Sequence, residues 1–163
     1  MRTVPLFSGL YQIGYVTRDL DAGVRQLQAI HGIESFRIKR DVRGMAGMPE
    51  MLMHQAHVFI GAVQLELIQP AGGDDALYRD VCAADSSAIR HHHFGMWVDD
   101  EAEYAGLRAA LAEQNIPVVF DAKIPDIGGA IYADTRATLG HYLEYVHLIP
   151  EVKRRYHADV PQY

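Results

Sequence analysis

Two stretches of this chain repeat one another, and an internal repeat commits a chain to two similar modules that share a core. The first copy begins Tyr11-Gln12-Ile13-Gly14-Tyr15-Val16-Thr17-Arg18-Asp19-Leu20-Asp21 and ends Val63-Gln64-Leu65-Glu66-Leu67-Ile68-Gln69-Pro70. The second begins His92-His93-Phe94-Gly95-Met96-Trp97-Val98-Asp99-Asp100 and ends His141-Tyr142-Leu143-Glu144-Tyr145-Val146-His147-Leu148-Ile149-Pro150. Gln12 and His93 stand 81 residues apart, and Glu66 and Glu144 stand 78 apart. Each copy therefore brings back a possible metal-binding side chain at its start and another at its end.

Both copies read as strand, helix and three strands. Residues 9–17 alternate as a strand does. Asp19 or Asp21 caps a helix that runs to about His31, and Gly32 ends it. A strand follows over 34–40, then a loop over 42–49. Strands over 51–60 and 63–68 are joined at Gly61-Ala62 as a hairpin. The connector 71–90 is polar, with a short helix expected across 76–84. The second copy places a strand over 92–98, a helix over 101–114 capped by Asp99 or Asp100, and strands near 118–124, 129–133 and 142–148. The tail 153–163 has no clear period and is expected to pack on a partner or stay loose. The fold class is α+β: two βαβββ modules, 8–70 and 91–150, whose curved mixed sheets each have one helix-covered face, the other faces enclosing a shared cleft.

Strand alternation assigns the candidate site. Val63, Leu65 and Leu67 share the face that suits packing under a helix; Gln64, Glu66 and Ile68 share the opposite one. In the last strand Leu143 and Tyr145 face the helix, while Tyr142, Glu144 and Val146 face the cleft. Gln12 and Gly14 share a face, as do His93, Gly95 and Trp97, and the glycines leave room beside the candidate metal-binding groups. Gln12, Glu66, His93 and Glu144 supply three oxygens and one nitrogen, a set that suits zinc, nickel, cobalt, manganese or iron with positions left for water or substrate. A single strand carboxylate is more often solvated; its symmetric recurrence is what favours a site. His91 is expected on the face of His93, and His54, His57, His141 and His147 are read as partly buried or surface histidines. Asp134-Thr135-Arg136 is expected to organise a turn, with Arg136 in a structural ion pair.

Composition narrows the function classes. A formal charge of −6 over 163 residues argues against a nucleic-acid backbone as partner, because phosphate binding needs a basic face. The one cysteine, Cys82, forms no internal disulfide, which favours a reducing compartment. No apolar run reaches the roughly 20 residues of a membrane span, and the N-terminus does not read as a secretory signal. The expected setting is cytoplasmic, with no nucleic-acid or membrane partner and a small molecule as substrate.

At Gln12 through Asp21, His93 through Asp100, and the paired Leu-Glu-Leu-Ile-Gln-Pro and Leu-Glu-Tyr-Val-His-Leu-Ile-Pro endings, the chain resembles the vicinal oxygen chelate superfamily. That group includes glyoxalase I, methylmalonyl-CoA epimerase, extradiol dioxygenases and bleomycin-resistance proteins. The resemblance covers about residues 8–150 and implies that residues 1–163 form one such domain. It implies one divalent metal ion held by Gln12, Glu66, His93 and Glu144. It further implies a lyase or isomerase of the glyoxalase or epimerase type, in which Glu144, with Glu66 as its counterpart, transfers a proton next to a metal-bound carbonyl through an enediolate. The alternatives are a protein that sequesters a small molecule, or a ring-cleaving dioxygenase, which Gln12 disfavours by leaving one histidine too few. A homodimer is expected, because the sheet leaves edges to protect.

Overall fold

A computed structural model describes residues 6–44, 50–85 and 87–163. In the first copy β1 (Leu10–Val16) leads to α1 (Leu20–His31), β2 (Arg37–Arg43), β3 (Leu52–Ile60) and β4 (Val63–Gly72). The connector holds α2 (Ala76–Arg79). The second copy follows as β5 (Arg90–Trp97), α3 (Glu101–Glu113), β6 (Val118–Ile124), β7 (Gly128–Asp134), a single helical turn α4 (Arg136–Leu139), and β8 (Tyr142–Leu148). A last helix, α5 (Pro150–Asp159), closes the chain. Among the described residues no helix is long and apolar enough to cross a membrane. Part of the loop expected over 42–49 lies outside the described residues.

The helix caps form where the side chains dictate. Asp19 accepts a hydrogen bond from the Ala22 amide at 2.9 Å, and Asp100 accepts one from the Glu103 amide at 2.9 Å. Gly32 ends α1 in the left-handed conformation, φ 68°, where a side chain would be strained.

The two modules do not keep separate sheets. They merge into one eight-stranded sheet of order β2-β3-β4-β1-β5-β8-β7-β6. The first strand of each module runs parallel to its last, β1 with β4 and β5 with β8, and the two first strands pair antiparallel at the centre. Every strand of both modules thus lies in one hydrogen-bonded surface, and the repeat becomes an approximate twofold about the β1–β5 contact.

One face of this sheet carries α1 and α3. Leu20, Val24 and Leu27 of α1 pack on Ala56 and Leu67; Tyr104, Leu107 and Leu111 of α3 pack on Ile131, Leu143 and Tyr145. The sheet curls so that its other face meets itself. Val16, Met53 and Ile68 from one half contact the cluster that holds Phe120, Ala130, Tyr132 and Tyr142 from the other. Leu77 and Tyr78 of α2 are part of that cluster. The connector therefore plugs the concave face. Its helix is shorter than expected because the chain turns after Arg79.

The tail is ordered rather than loose. Its helix α5 is polar on most positions, which hides its period, and it is held by a few specific contacts. The Phe59 amide donates to the Pro161 carbonyl at 2.8 Å, and the Tyr163 amide to the Phe59 carbonyl at 2.9 Å. The Lys153 ammonium meets Asp99 at 2.6 Å and lies 4.5 Å over the Trp97 ring.

Leu67 is fully buried between α1 and the sheet. Leu67→Ala is expected to cost about 2–5 kcal/mol of stability, from lost transfer energy and the cavity left behind. A urea titration followed by circular dichroism measures it.

Candidate metal centre

Two neighbouring rows of residues run across the middle of the sheet. In one, Glu66 of β4 pairs with Gly14 of β1, which pairs with His93 of β5. In the other, Gln12 of β1 pairs with Gly95 of β5, which pairs with Glu144 of β8. Each row is thus a donor residue, a glycine and a second donor residue. The side chains at the row ends lean over the glycine between them. A Cβ on Gly14 would sit 1.9 Å from Cε1 of the His93 ring; a Cβ on Gly95 would sit 2.7 Å from Gln12 Oε1. Each glycine makes room for the donor of the other module, not for the one on its own strand.

The four side chains converge at His93 Nε2. That atom lies 2.9 Å from Gln12 Oε1, 3.3 Å from Glu66 Oε2 and 3.3 Å from Glu144 Oε2. All four residues are buried. A proton on Nε2 points at one oxygen at a time and leaves the others facing one another. A divalent cation satisfies all four donors at once, and a mixed nitrogen and oxygen set of this kind accepts several such metals. Among the described residues, Glu66, His93 and Glu144 are the acidic and histidine groups gathered closely enough to hold one.

The surrounding hydrogen bonds orient each donor. Gln12 Nε2 donates to Gln64 Oε1 at 2.8 Å, and Tyr156 of α5 donates to the same oxygen at 2.7 Å. Since Gln64 Oε1 takes both hydrogens, Gln12 must turn its own oxygen toward His93. His57 Nε2 donates to Glu66 Oε1 at 2.9 Å and leaves Oε2 for the centre. Among the described residues nothing donates to the second oxygen of Glu144.

His92 sets the tautomer of His93. Its Nε2 lies 2.8 Å from the Leu77 carbonyl, which only accepts, so Nε2 carries the hydrogen. Burial, then the neighbouring His93 charge, lowers the His92 pKa to about 3, so the ring is neutral and its Nδ1 is an acceptor. His92 Nδ1 and His93 Nδ1 are 2.9 Å apart, so the hydrogen between them belongs to His93. When the ring gives up its second proton, His93 Nε2 is then the atom left with a lone pair toward the three oxygens, as outer-shell hydrogen bonding commonly arranges for metal-binding histidines.

A bulge makes this contact possible. Between Gly14 and Tyr15 on β1 the partner on β5 jumps from His93 to His91, so His92 is an extra residue. A matching jump between Leu10 and Gln12 makes Tyr11 extra on β1. In both copies the residue before the donor is thereby turned to the concave side. Tyr11 lines the cavity there and stacks on Trp97 with ring centroids 3.9 Å apart. Regular alternation had put His91 beside His93, and the bulge overturns that reading. His91 packs instead against Phe94, His141 and Tyr15. His141 is away from the centre as expected. Arg136 forms its structural ion pair with Asp134 at 2.7 Å.

The sequence places Gln64 on the cleft face without a role and leaves His92 between a surface place and one behind the donors. It reads His57 as a partly buried or surface histidine, whereas the structure buries it against Glu66; Tyr156 carries no sequence signal. His57 was legible in principle: counting back from the two-residue turn at Gly61-Ala62 pairs it with Glu66. His92 and Tyr156 depend on a bulge and on a polar helix that no periodicity announces.

Charge follows from this packing. Burial alone would raise the Glu66 carboxyl, but hydrogen bonds from His57 and His93 outweigh it and hold the group well below the usual carboxylate range. Burial alone would lower His93; hydrogen bonds to Glu144 and Glu66 outweigh it and raise the ring to about 9. The cation-free ring thus keeps its Nε2 hydrogen at neutral pH. Any ion must displace that proton, so affinity should climb about tenfold per pH unit from 6 to 8. His92→Phe should weaken binding about 10–100-fold by removing the tautomer lock. His91→Ala should leave it unchanged, and His93→Ala combined with Glu144→Ala should abolish it. Cobalt titrations followed by visible absorption, with circular dichroism to verify folding, check all three.

Comparison with known proteins agrees with this architecture. Residues 11–133 match the family model described as glyoxalase/bleomycin resistance protein/dioxygenase superfamily. No curated protein matches the sequence significantly. Methylmalonyl-CoA epimerase from Mycobacterium tuberculosis is similar in structure, with TM-score 0.59 and 17% identity over 94% of this chain and 97% of that one. A variant of Streptomyces coelicolor methylmalonyl-CoA epimerase in complex with 2-nitronate-propionyl-CoA gives TM-score 0.59 and 21% identity over 86% and 97%. At these identities the likeness concerns the fold.

Proposed function

The chain belongs to the glyoxalase/bleomycin resistance protein/dioxygenase superfamily, and we propose that it is a divalent-metal-dependent isomerase or lyase that moves a proton at a carbon next to a carbonyl. The observation that carries this reading is the meeting of Gln12, Glu66, His93 and Glu144 around one buried point, with three oxygens within 3.3 Å of His93 Nε2. These four residues are the proposed metal-binding set. A bound divalent ion would act as a Lewis acid on the substrate carbonyl and acidify the neighbouring C–H.

The two carboxylates differ in how tightly the protein holds them. Glu66 has one oxygen engaged by His57 and the other by His93. Glu144 meets His93 through Oε2 alone, and its other oxygen has no donor among the described residues. Glu144 is the proposed base, taking the proton from substrate on its free oxygen. Glu144 then carries that proton and returns it to the same or the adjacent carbon, with Glu66 across the centre as its proposed counterpart, held ionised by His57 and His93. The structures of similar fold include methylmalonyl-CoA epimerases, which supports an isomerase over a sequestering protein.

Glu144→Gln keeps an oxygen donor and loses the base. Deuterium uptake from D2O into a bound 2-oxygenated acid or methylmalonyl-CoA, followed by NMR, should fall by about 10²–10⁴-fold in this variant. Metal content should stay measurable. Undiminished exchange with metal retained would remove Glu144 from the base role.

A homodimer belongs to the same proposal. Strands β2 and β6 end the sheet, and Ile38, Val118 and Val119 on them are exposed. Light scattering at micromolar concentration should give twice the 18.2 kDa of the chain; a mass of one chain would refute it.

A further inference from the structure

The cavity above the centre is small and polarised. Its volume is about 240 Å³, below the roughly 300–1,000 Å³ of sites that take drug-sized molecules. Helix α5 walls it with Val152 and Tyr156, and Tyr156 is tied to the donor set through Gln64. The side built from β6, the β6–β7 turn and β8 is apolar, with Ile124, Ile127, Val146 and Leu148. The side built from β2 and β3 is polar, with Lys39, Gln55 and His57.

Lys39 is the cation lining this cavity. It is half-buried, and its ammonium has no hydrogen-bond or ion-pair partner among the described residues. The charged groups around it are Arg37, Asp159 and Glu66. Asp159 is taken by Arg37 at 3.2 Å, and Glu66 is turned to His57 and His93. Burial, with Arg37 adding to it, lowers the Lys39 pKa, which is the mark of a charge short of compensation. A divalent ion in the centre would balance Glu66 and Glu144, leaving Lys39 as the uncompensated charge facing the cavity. Lys39 pairs with Gln55, two strands from β4, so its backbone stands about 10 Å from that strand. A lysine side chain spans much of that distance.

We propose that the substrate is a compact 2-oxygenated acid carrying a second anionic group, and that Lys39 binds this second anion while the neighbouring oxygens meet the metal. This inference rests on the metal-dependent reading above and names the substrate class of the same site. The cavity has room for a compact acid or a short acyl group, and its apolar opposite side suits a small alkyl group. Recognition of a half-buried anion by an otherwise unpaired ammonium is a charge-assisted contact, stronger than a neutral hydrogen bond.

Malate and lactate test it, because they share the chelating 2-hydroxy acid and malate carries a second carboxylate. Both are titrated into the full-length, cobalt-loaded protein, with binding read from the cobalt absorption and folding verified by circular dichroism. Malate should bind at least about tenfold more tightly than lactate. Lys39→Met should erase that preference and leave lactate binding unchanged; Lys39→Arg should keep most of it. The proposal is overturned if Lys39→Met retains the preference, if neither acid perturbs the bound cobalt, or if methylmalonyl-CoA binds more tightly than malate. Each of those outcomes leaves the metal centre standing. Failure of cobalt to bind overturns the metal reading and this inference together.

Discussion

At the centre of the sheet β1 and β5 run side by side, and each offers a glycine where the other needs space for a ring or an amide. Gly14 lies under the His93 ring and Gly95 under the Gln12 amide. Any side chain at either place would drive the opposing donor off the concave face. The four-residue centre therefore depends on a steric permission granted reciprocally by the two modules. This also explains why the modules merge into one sheet: the donors of one half are completed only when the first strands pair.

Around that contact the protein spends its polar side chains on orientation. Gln64 takes two hydrogens and so aims Gln12; His57 occupies one oxygen of Glu66; the Leu77 carbonyl acts through His92 to set the His93 tautomer. The result is three oxygens and one ring nitrogen facing inward in a buried space. Such an arrangement is costly in a protein without a cation, because like-charged and lone-pair groups are held together away from water. The raised His93 and lowered Glu66 pKa values show how that cost is relieved: a proton on His93 offsets the carboxylates at the point a cation would occupy.

The two segments outside the repeat make the halves unequal. The connector fills one end of the concave face with Leu77 and Tyr78. The last helix walls the cavity and reaches the donor set through Tyr156. With β2 and β3 contributing polar groups and β6 to β8 contributing apolar ones, a near-symmetric scaffold acquires a site with two different sides. The repeat alone does not contain that asymmetry.

The repeat, the alternation and the caps were enough to read most elements from the chain itself. Asp19, Gly32 and Asp100 act through contacts within a few residues, so local chemistry decides them. Glu66 and Glu144 could be assigned to the cleft because period-two alternation holds in β4 and β8. The alternation failed where β1 and β5 bulge. A bulge depends on how two strands far apart in sequence accommodate each other, so the inward turn of Tyr11 and His92, and the outward place of His91, were decided by tertiary pairing. The tail is a similar case. Its sequence is polar with few apolar positions, and what makes it a helix over the cavity is the surface it lands on: Phe59, Trp97 and Gln64, all contributed by other parts of the chain. Residue identities determined which donors exist and which face they take; the pairing of distant strands decided how those donors are aimed and what space lies above them.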